Sequence, residues 1–589
     1  MLYDIKLQKI LLNHDIHLID ETKLNDNYEG IIIDALTKKC KNKVCALWGA
    51  GQNNTKSSHA AILITKYATF IQKMVCVIDS NSELHGKTFL GFPIIAPQQM
   101  NDYKVDIVII ASKNSGDSIK KSLHDLDPNC EYIDIYEELR NRGIEIFNNF
   151  YDENSIYSKI YEAQVQYQSV KDKNNLSKLI QYYLSIRDLY YSMYYIREYI
   201  DLKFEKYESY YLLLNEIEDL LKEMKTINDK RDQDISLFYI DALRAKDVIN
   251  TENGRADLFR RYAQNGKIFT NMYSTAVTTY ESMMSIIAGV YPLDAEVYQN
   301  DFMHDLNEFK LLEKYVQKGY DVHFLVADCY RIIKNDDRIR VYDQLYMSQK
   351  LWTLACTLAE SQNKTFNFVY FPYETHFPLL CGYHNEKPVI KAFSDLGINE
   401  FPPNIETQYY DCLDYTNKQF DFYYDFIGIN SYKVIFSDHS QVVYDSNNDN
   451  KTYNMYYKYK DLTTHVPFII SKRGWREEVF RDYYSMVDFN KIVITAIDHG
   501  NVDKYKTEII RYQYYPMHNP KMREHAFKFG YIDYIDGMDL FLSKDYLYVQ
   551  TATGLKEVYA SDDLENDISE TNEGKNYINI VRQKYKIAY

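Results

Sequence analysis

Short apolar runs alternate with helix-like stretches over the first quarter of the chain. A stretch from about Ser57 to Gln72 has the length and spacing of a helix, and it lies between two of the runs. The runs predicted as strands cover residues 44–48, 74–78, 106–111 and 130–135. Strands that alternate with helices are typical of a parallel sheet in βαβ order. We therefore predict a parallel α/β domain over residues 1–145.

The next segment, residues 146–232, has a different pattern. It is polar, rich in tyrosine and nearly free of glycine and proline, and its apolar residues recur three and four apart. Leu213, Ile217, Leu220 and Leu221 show this spacing. One apolar face at helical spacing predicts amphipathic helices. We predict a helical linker between two domains.

Residues 233–589 return to α/β alternation, so the fold class predicted for the whole chain is α/β. The runs predicted as strands in this part cover residues 235–240, 366–371, 432–436 and 466–470. A further run at 546–549 is apolar throughout without alternation, and an acidic stretch follows at 561–574. We expect this last part to be a small strand-rich subdomain with a loose tail.

Composition and charge narrow the classes of function. A chain of 589 residues exceeds the size of one hydrophobic core. Its net charge of −16 disfavours nucleic-acid binding, which needs a basic surface. The start of the chain lacks a basic region followed by an apolar one, and no long uncharged apolar window follows, so we expect no signal peptide and no membrane span. Eight scattered cysteines favour a reducing, cytoplasmic location.

Metal-type ligands stand at or near the ends of the predicted strands in the third segment. Asp241 ends the first strand, His376 follows the second, and Asp438 with His439 follows the third. His465 precedes the fourth strand and would approach from a loop. Because ligands bind beyond the carboxyl ends of strands in open α/β sheets, these side chains are expected to meet. Carboxylates combined with imidazoles suit Zn²⁺ or Mn²⁺.

A hydroxyl suited to be a nucleophile lies at the predicted start of a helix. Thr279 opens the helix-like stretch that runs to Gly289. Free backbone N–H groups at a helix N-terminus favour anions, and a hydroxyl bound to a metal is an activated nucleophile. The alternatives are that Thr279 only caps the helix, or that Thr275 is the nucleophile.

Several short motifs occur in a fixed order along residues 235–500. They are Asp-x-x-Arg at 241–244, Phe-x-Asn-x-Tyr-Ser at 269–274, Thr-x-x-Ser at 279–282, Gly-Val-Tyr-Pro at 289–292, His-Phe-Pro at 376–378, Ser-Asp-His at 437–439 and Thr-His-Val-Pro at 464–467. In this order they resemble the sulfatase-like family of the alkaline phosphatase superfamily, which includes lipoteichoic acid synthases and phosphoethanolamine transferases. The resemblance implies an alkaline phosphatase/sulfatase-like α/β domain.

The resemblance also implies roles for individual residues. The ligands of the main metal would be Asp241, Thr279, Asp438 and His439. The substrate phosphate or a second metal would be bound by His376 and His465. Thr279 would form a covalent phospho-intermediate. Arg244 would be either a phosphate clamp or a partner in an ion pair.

Three departures from the family pattern bear on function. Sulfatases carry Cys or Ser where this chain has Thr279, and threonine cannot be converted to formylglycine, so sulfate-ester hydrolysis is disfavoured. Ser440 replaces the usual glycine after Asp-His. The membrane helices of lipoteichoic acid synthases and phosphoethanolamine transferases are missing, which disfavours a lipid donor at an outer membrane face.

The N-terminal segment resembles Rossmann-like domains attached to sugar-nucleotide and polysaccharide-modifying enzymes. Gly49 and Gly51 follow the first strand like the start of a dinucleotide fingerprint, but Asn54 takes the third glycine position. Asp79 closes the second strand, where an acidic residue could hold a ribose hydroxyl. The resemblance implies a nucleotide or nucleotide-sugar ligand, and the alternative is a tight turn without a ligand.

These observations lead to one functional hypothesis with two alternatives. The hypothesis is a metal-dependent phosphotransferase that moves phosphoethanolamine, phosphoglycerol or a similar group from a phosphodiester donor to a surface-glycan acceptor. The first alternative is a phosphodiesterase or phosphatase of the same superfamily. The second is a non-catalytic scaffold that binds a nucleotide or a glycan. The sequence does not specify the transferred group, the acceptor, the metal or the oligomeric state.

Overall fold

The structure is a computed structural model of the chain. It describes residues 1–19, 28–49, 74–89, 92–112, 115–141, 156–249, 259–295, 304–326, 333, 336–376, 379–388, 404–440, 463–516, 523–524, 527 and 532–589. These residues fall into two compact units. The smaller unit comprises residues 18–159, and the larger unit comprises residues 1–17 and 160–589. The first 17 residues therefore group with the larger unit, whereas the sequence analysis assigned residues 1–145 to one N-terminal domain.

The smaller unit is built on a six-stranded sheet in the order β3-β4-β2-β1-β5-β6. Its strands are β1 (Cys45–Trp48), β2 (Met74–Ile78), β3 (Thr88–Phe89), β4 (Phe92–Ile95), β5 (Ile107–Ile110) and β6 (Glu131–Asp134). All neighbours pair in parallel except β3 and β4. The four predicted strands are present, and the two faces of the sheet form two apolar clusters.

Three α-helices of the smaller unit lie in its described part. They are Tyr28–Cys40, Gly116–Leu126 and Ile135–Arg140. Asp134 caps the N-terminus of helix Ile135–Arg140, because its carboxylate accepts hydrogen bonds from the backbone N–H groups of Tyr136 and Glu137. The helix predicted at 57–72 lies outside the described residues.

The larger unit contains an eight-stranded sheet in the order β10-β9-β11-β7-β12-β13-β8-β14. Its strands are β7 (Ile235–Ile240), β8 (Gly266–Tyr273), β9 (Asp321–Val326), β10 (Ile339–Asp343), β11 (Thr365–Phe371), β12 (Tyr432–Phe436), β13 (His465–Ser471) and β14 (Glu478–Ser485). Strand β13 runs antiparallel to both of its neighbours, and the other seven strands share one direction. The α/β fold class is therefore confirmed.

Central strands of this sheet are buried along their whole length. Every residue of β7, β11 and β12 is buried, as expected for strands covered on both faces. The later helices of the unit are Ala245–Val248, Arg260–Ala263, Thr279–Ala288, Lys310–Gln317, Met347–Glu360, Ile405–Tyr423, Phe489–Ile497, Ile532–Ile535 and Asn572–Lys584. In the sequence, β7, β11 and β12 are largely apolar runs without strict alternation, because neither face of these strands meets water.

Residues 156–228 of the segment predicted as a helical linker form four helices, and from residue 160 onward they belong to the larger unit. The helices are Ile156–Ser169, Lys173–Ser185, Leu189–Asp201 and Tyr207–Asn228. Asp188 is fully buried, and its carboxylate accepts hydrogen bonds from Tyr415 at 2.7 Å and Gln419 at 2.8 Å, both on helix Ile405–Tyr423. The Tyr183 hydroxyl donates to the Gly382 carbonyl at 2.7 Å. Apolar spacing revealed the helices, but it did not show what they pack against.

The helix Leu2–Asn13 also belongs to the larger unit. Its buried residues Leu7 and Leu11 line one face. The carboxylate of Asp4 accepts hydrogen bonds from Arg187 Nε at 2.7 Å and from the Trp352 indole at 2.9 Å. This helix is therefore tied to two elements that lie far away in sequence.

A four-stranded antiparallel sheet and a helix complete the chain. The strands pair in the order β15 (Ile510–Tyr514), β16 (Met538–Leu542), β17 (Tyr546–Thr551) and β18 (Lys556–Ala560). The predicted strand at 546–549 is thus present within β17. The expectation of a loose tail was wrong, because Tyr577 and Val581 of helix Asn572–Lys584 are buried against this sheet.

Within the described residues, no helix combines the length and the apolar character needed to cross a bilayer.

A buried histidine in the large sheet makes stability depend on pH. Burial, with a smaller effect of Arg340, lowers the pKa of His323 on β9 from 6.5 to about 4. A folded-state pKa below the unfolded one gives stability that is present above about pH 6.5 and lost as the pH falls toward 4. Wild type should therefore lose about 2 kcal/mol more free energy of unfolding than His323→Gln between roughly pH 7.5 and pH 5. Urea denaturation at the two pH values measures this difference, and equal losses would contradict the assignment.

Candidate active site

Metal-type ligands from three strands converge at one edge of the large sheet. Asp241 follows β7, Glu374 to His376 follow β11, and Asp438 with His439 follow β12. These strands are parallel neighbours, so their carboxyl ends share one edge. These ligands were predicted to meet at this edge of the sheet, and Asp241, Asp438 and His439 lie together there.

The distances define a compact cluster around His439 Nε2. This atom lies 3.5 Å from Asp241 Oδ1, 3.4 Å from Asp438 Oδ2 and 3.4 Å from Thr279 Oγ1. Thr279 Oγ1 also lies 3.5 Å from Asp241 Oδ2. All four residues are at most 5% exposed. The cluster therefore joins a hydroxyl, two carboxylates and an imidazole in a site largely shielded from water.

The orientation of His439 follows from its second nitrogen. His439 Nδ1 lies 2.9 Å from the Ser440 carbonyl oxygen, which can only accept a hydrogen bond. Nδ1 therefore carries the proton, and in the neutral ring Nε2 presents its lone pair to the carboxylates and Thr279. A carbonyl partner of this kind is typical of metal-binding histidines.

Backbone N–H groups after β7 contact Asp438 and its neighbour Ser437. The Ala242 N–H donates to Asp438 Oδ1 at 3.3 Å, and the Leu243 N–H donates to the Ser437 hydroxyl at 2.9 Å. Ala242 adopts a left-handed conformation with φ of 60°, which costs an L-residue about 1 kcal/mol. This turn directly after β7 directs the backbone N–H groups of 242 and 243 toward the segment after β12.

Asp241 has further partners that the sequence analysis missed. The Tyr370 hydroxyl donates to Asp241 Oδ2, and the Thr375 hydroxyl donates to the Asp241 carbonyl at 2.6 Å. Both come from β11 or the residues just after it. Only their position on or just after the neighbouring strand could have indicated these partners in the sequence, because a single Tyr or Thr forms no motif with a recognisable spacing.

Thr279 is the first residue of helix Thr279–Ala288, as predicted. A buried set of hydroxyls holds the preceding loop against this helix. Ser282 Oγ lies 3.0 Å from Ser274 Oγ and donates to the Ala276 carbonyl at 3.1 Å. Thr275, the alternative nucleophile, donates instead to Ser285 Oγ at 2.6 Å. Thr275 therefore supports the loop, and Thr279 is the hydroxyl that faces the carboxylates.

The small C-terminal sheet supports the same loop. The Gln513 N–H on β15 donates to the Thr275 carbonyl at 2.8 Å, and Ala276 forms a β-bridge to Gln513. The Gln513 side-chain oxygen accepts from the Leu293 N–H at 2.9 Å. The C-terminal subdomain is therefore part of the scaffold that positions Thr279.

Loss of the Ser282 hydroxyl should loosen this loop. Ser282→Ala leaves the Ser274 hydroxyl and the Ala276 carbonyl buried without this partner, which should lower the free energy of unfolding by about 1–3 kcal/mol. Thr226→Ala is the control, because this exposed helical hydroxyl bonds only the Lys222 carbonyl and its loss should change stability by less than about 0.5 kcal/mol. Urea denaturation measures both variants, and equal effects would show that the Ser282 contacts are unimportant.

The two remaining histidines occupy different positions. The ring of half-buried His376 lies 5.9 Å from that of His439, centroid to centroid. His465 opens β13, stacks on Tyr273 at 4.9 Å, and directs Nε2 at the Thr270 carbonyl at 2.8 Å. His465 was predicted to approach from a loop, but it is the first residue of β13. Because β13 runs antiparallel to β12 and β8, its first residue lies at the edge of the sheet where those two strands end.

Arg244 forms a buried ion pair. Its Nε lies 2.5 Å and its Nη2 3.1 Å from the Asp247 carboxylate, and the guanidinium covers the Tyr409 ring at 4.4 Å. The Tyr409 hydroxyl donates to the same carboxylate at 2.9 Å. Of the two roles left open by the sequence, these contacts favour the ion pair.

The donor set fits a divalent metal ion. Ligand atoms of Asp241, His376 and His439 all lie within 4.8 Å of one another. Burial raises the pKa of Asp438, and the negative charge of Asp241 raises it further. Two buried carboxylates that repel each other are stabilised by a cation between them. Oxygen and imidazole donors together suit Zn²⁺ or Mn²⁺.

The expected ligand site of the smaller unit is described only in part. Gly49 follows β1 with φ of 115°, a conformation that favours glycine, and its N–H donates to the Ile78 carbonyl at 2.9 Å. Asp79 Oδ1 accepts from the Asn81 N–H at 2.9 Å and so closes a turn. Gly51 lies outside the described residues. Nucleotide binding by Gly49, Gly51 and Asp79 stays a prediction.

Comparison with known proteins shows what the larger unit resembles. Residues 233–499 match the family model described as Sulfatase, so this part of the chain is similar to that family. Residues 41–133 match the family model described as C2185-like, N-terminal. No curated protein matches the chain.

Solved structures similar to this chain are remote in sequence. The phosphonate monoester hydrolase of Agrobacterium radiobacter is 10% identical with a TM-score of 0.43, over 60% of this chain and 95% of that one. The phosphonate monoester hydrolase of Silicibacter pomeroyi is 12% identical with a TM-score of 0.38, over 60% and 94%. A protein in the alkaline phosphatase superfamily from Vibrio parahaemolyticus is 13% identical with a TM-score of 0.39, over 62% and 95%. Structural similarity this remote gives no information about the reaction of this chain.

Proposed function

We propose that this protein is a metal-dependent phosphotransferase that moves a phospho-substituent, such as phosphoethanolamine or phosphoglycerol, to a glycan acceptor. One observation carries the proposal: the Thr279 hydroxyl, at the first residue of a helix, lies 3.5 Å from Asp241 Oδ2 and 3.4 Å from His439 Nε2. A nucleophile within reach of a base at the start of a helix is the arrangement that attack on a phosphoester requires.

The residues of the site supply positioning and proton transfer. In the first step, Thr279 Oγ1 bonds to phosphorus, the donor's leaving group departs with the electron pair of the broken bond and takes a proton from solvent, and Asp241 Oδ2 is placed to accept the hydroxyl proton. In the second step, the acceptor oxygen bonds to phosphorus and loses its proton to solvent, while the bond to Thr279 breaks and the threonine oxygen regains the proton from Asp241. A divalent cation held by Asp241, His376, Asp438 and His439 would neutralise phosphoryl oxygens and lower the pKa of the Thr279 hydroxyl.

The residue type at position 279 favours a phosphoester over a sulfate ester as the substrate. The residue at the helix start is Thr279, and threonine cannot become formylglycine, the nucleophile of sulfatases. The resemblance of the smaller unit to domains of polysaccharide-modifying enzymes supports the glycan acceptor. Hydrolysis differs from transfer only in the use of water as the acceptor, so it is the first alternative outcome of the test.

Intact-protein mass spectrometry of metal-loaded protein tests the proposal. The protein is incubated with phosphodiester donors, including nucleotide-activated ones. One sample is quenched without an acceptor, and a second sample receives a glycan acceptor before it is quenched. We expect an adduct that maps to Thr279 and disappears when a glycan acceptor is supplied. Loss of the adduct in buffer alone would favour the phosphodiesterase or phosphatase. A protein that binds neither Mn²⁺ nor Zn²⁺ and forms no adduct would favour the non-catalytic scaffold.

A further inference from the structure

A second group of metal-type ligands lies in the interior of the larger unit. Cys381 and His384 stand in the segment after β11, and Cys412 lies on helix Ile405–Tyr423. Their sulfur and nitrogen atoms all lie within 4.8 Å of one another, and the three side chains are at most 3% exposed. Burial this deep leaves the thiols without access for a macromolecular substrate.

The spacing of these atoms matches tetrahedral zinc. Cys381 Sγ lies 3.6 Å from His384 Nε2. Zinc bond lengths to sulfur and nitrogen, combined at a tetrahedral angle, put the two atoms about 3.6 Å apart. The separation of two residues between Cys381 and His384 is also typical of ligands supplied by one turn. Two of the three donor atoms are therefore at the spacing of zinc ligands, and the sulfur of Cys412 lies within 4.8 Å of both.

Contacts around His384 favour a metal-binding tautomer. The Cys381 N–H donates to His384 Nε2 at 3.3 Å, so Nε2 carries a lone pair, and a metal ion would replace this long hydrogen bond. On the other side of the ring, Nδ1 lies 3.8 Å from Asp411 Oδ2. The Asn385 N–H in turn donates to Asp411 Oδ2 at 2.8 Å. The separation of 3.8 Å is longer than a hydrogen bond, so the carboxylate lies near the second nitrogen, where zinc sites usually place a hydrogen-bonded partner.

We propose that Cys381, His384 and Cys412 bind a zinc ion that is distinct from the metal of the candidate active site. Binding replaces the protons of the two thiols, which are released to solvent, and leaves the fourth position to water or a further donor. The ion fastens the segment after β11 to helix Ile405–Tyr423. The same segment contains His376, whose carbonyl accepts from the Leu379 N–H at 2.9 Å. The site is thus placed to hold the segment that presents His376.

Cobalt substitution separates this site from the active site. Full-length protein is produced in zinc-depleted, cobalt-supplemented medium, and its near-ultraviolet absorption is recorded. Thiolate ligands give Co²⁺ an intense charge-transfer band, whereas the oxygen and imidazole donors of the active-site cluster do not. We expect the band in wild type, and its loss in both Cys381→Ser and Cys412→Ser.

Two controls make the result specific. Cys356→Ser should keep the band, because Cys356 is a fully buried thiol of the same unit on helix Met347–Glu360 and lies outside the cluster. Asp438→Asn should also keep the band, so failure of the proposed reaction leaves this test intact. A wild type without the band would overturn the proposal whether or not the cysteine variants fold. A Cys381–Cys412 disulfide, found by peptide mapping of unreduced wild type, would overturn it as well.

Discussion

Thr279→Ala should lower kcat on phosphodiester donors by on the order of 10⁴-fold or more, because no other group replaces a covalent nucleophile. The Thr279 hydroxyl is the one that faces Asp241 and His439 at 3.4–3.5 Å, and its removal leaves both without a group to activate. Thr279→Ser keeps the oxygen and should keep measurable turnover and adduct formation. Steady-state kinetics with intact-protein mass spectrometry measures both properties.

The adjacent threonine provides a matched control for this prediction. Thr278 is exposed, and its hydroxyl contacts Glu281 rather than the carboxylate cluster. Thr278→Ala should therefore keep the adduct and most of the turnover. Full activity of Thr279→Ala, or equal losses in the two variants, would refute the role of Thr279.

Asp438→Asn should change activity and stability in opposite directions. Asp438 is fully buried beside Asp241, and burial raises its pKa above the ordinary value. A raised folded-state pKa means that the ionised carboxylate destabilises the metal-free protein near neutral pH. The amide keeps an oxygen for the Ala242 N–H and removes the charge, so metal-free Asp438→Asn should unfold at a higher temperature than metal-free wild type.

Metal binding should reverse that order. Loss of a direct ligand should lower metal affinity by more than the roughly 10- to 100-fold caused by loss of an outer partner, and turnover should fall with it. Mn²⁺ or Zn²⁺ should therefore raise the melting temperature of wild type much more than that of the variant. Calorimetry with and without each ion measures both effects. A variant that is less stable without metal and equally stabilised by it would contradict the assignment of Asp438.

The largely apolar runs, with the ligands that follow them, were enough to predict the strand ends that form the site. Asp241 follows the run 235–240, and Asp438 with His439 follows the run 432–436. Such runs mark buried parallel strands whose ends share an edge. His465 shows the limit of this reasoning. Local pattern does not give the direction of a strand, and it was the antiparallel pairing of β13 that placed His465 at the same edge.

Long-range packing was the part that the sequence did not reveal. Helical spacing predicted the helices between residues 156 and 228, but the contacts of Asp188 with Tyr415 and Gln419 join residues more than two hundred positions apart. Cys412 likewise meets Cys381 and His384 only through the fold. The acidic composition of 561–574 suggested a loose tail, although buried Tyr577 and Val581 follow it at helical spacing.

Placement of the helix Leu2–Asn13 has a consequence for biosynthesis. Its partners Arg187 and Trp352 are translated long after it, so Leu7 and Leu11 leave the ribosome with no surface to cover them. The smaller unit, residues 18–159, can collapse on its own core during this interval. The larger unit can close only after Trp352 has emerged, and until then the nascent chain exposes the apolar stripe of helix Leu2–Asn13, a surface of the kind that chaperones bind.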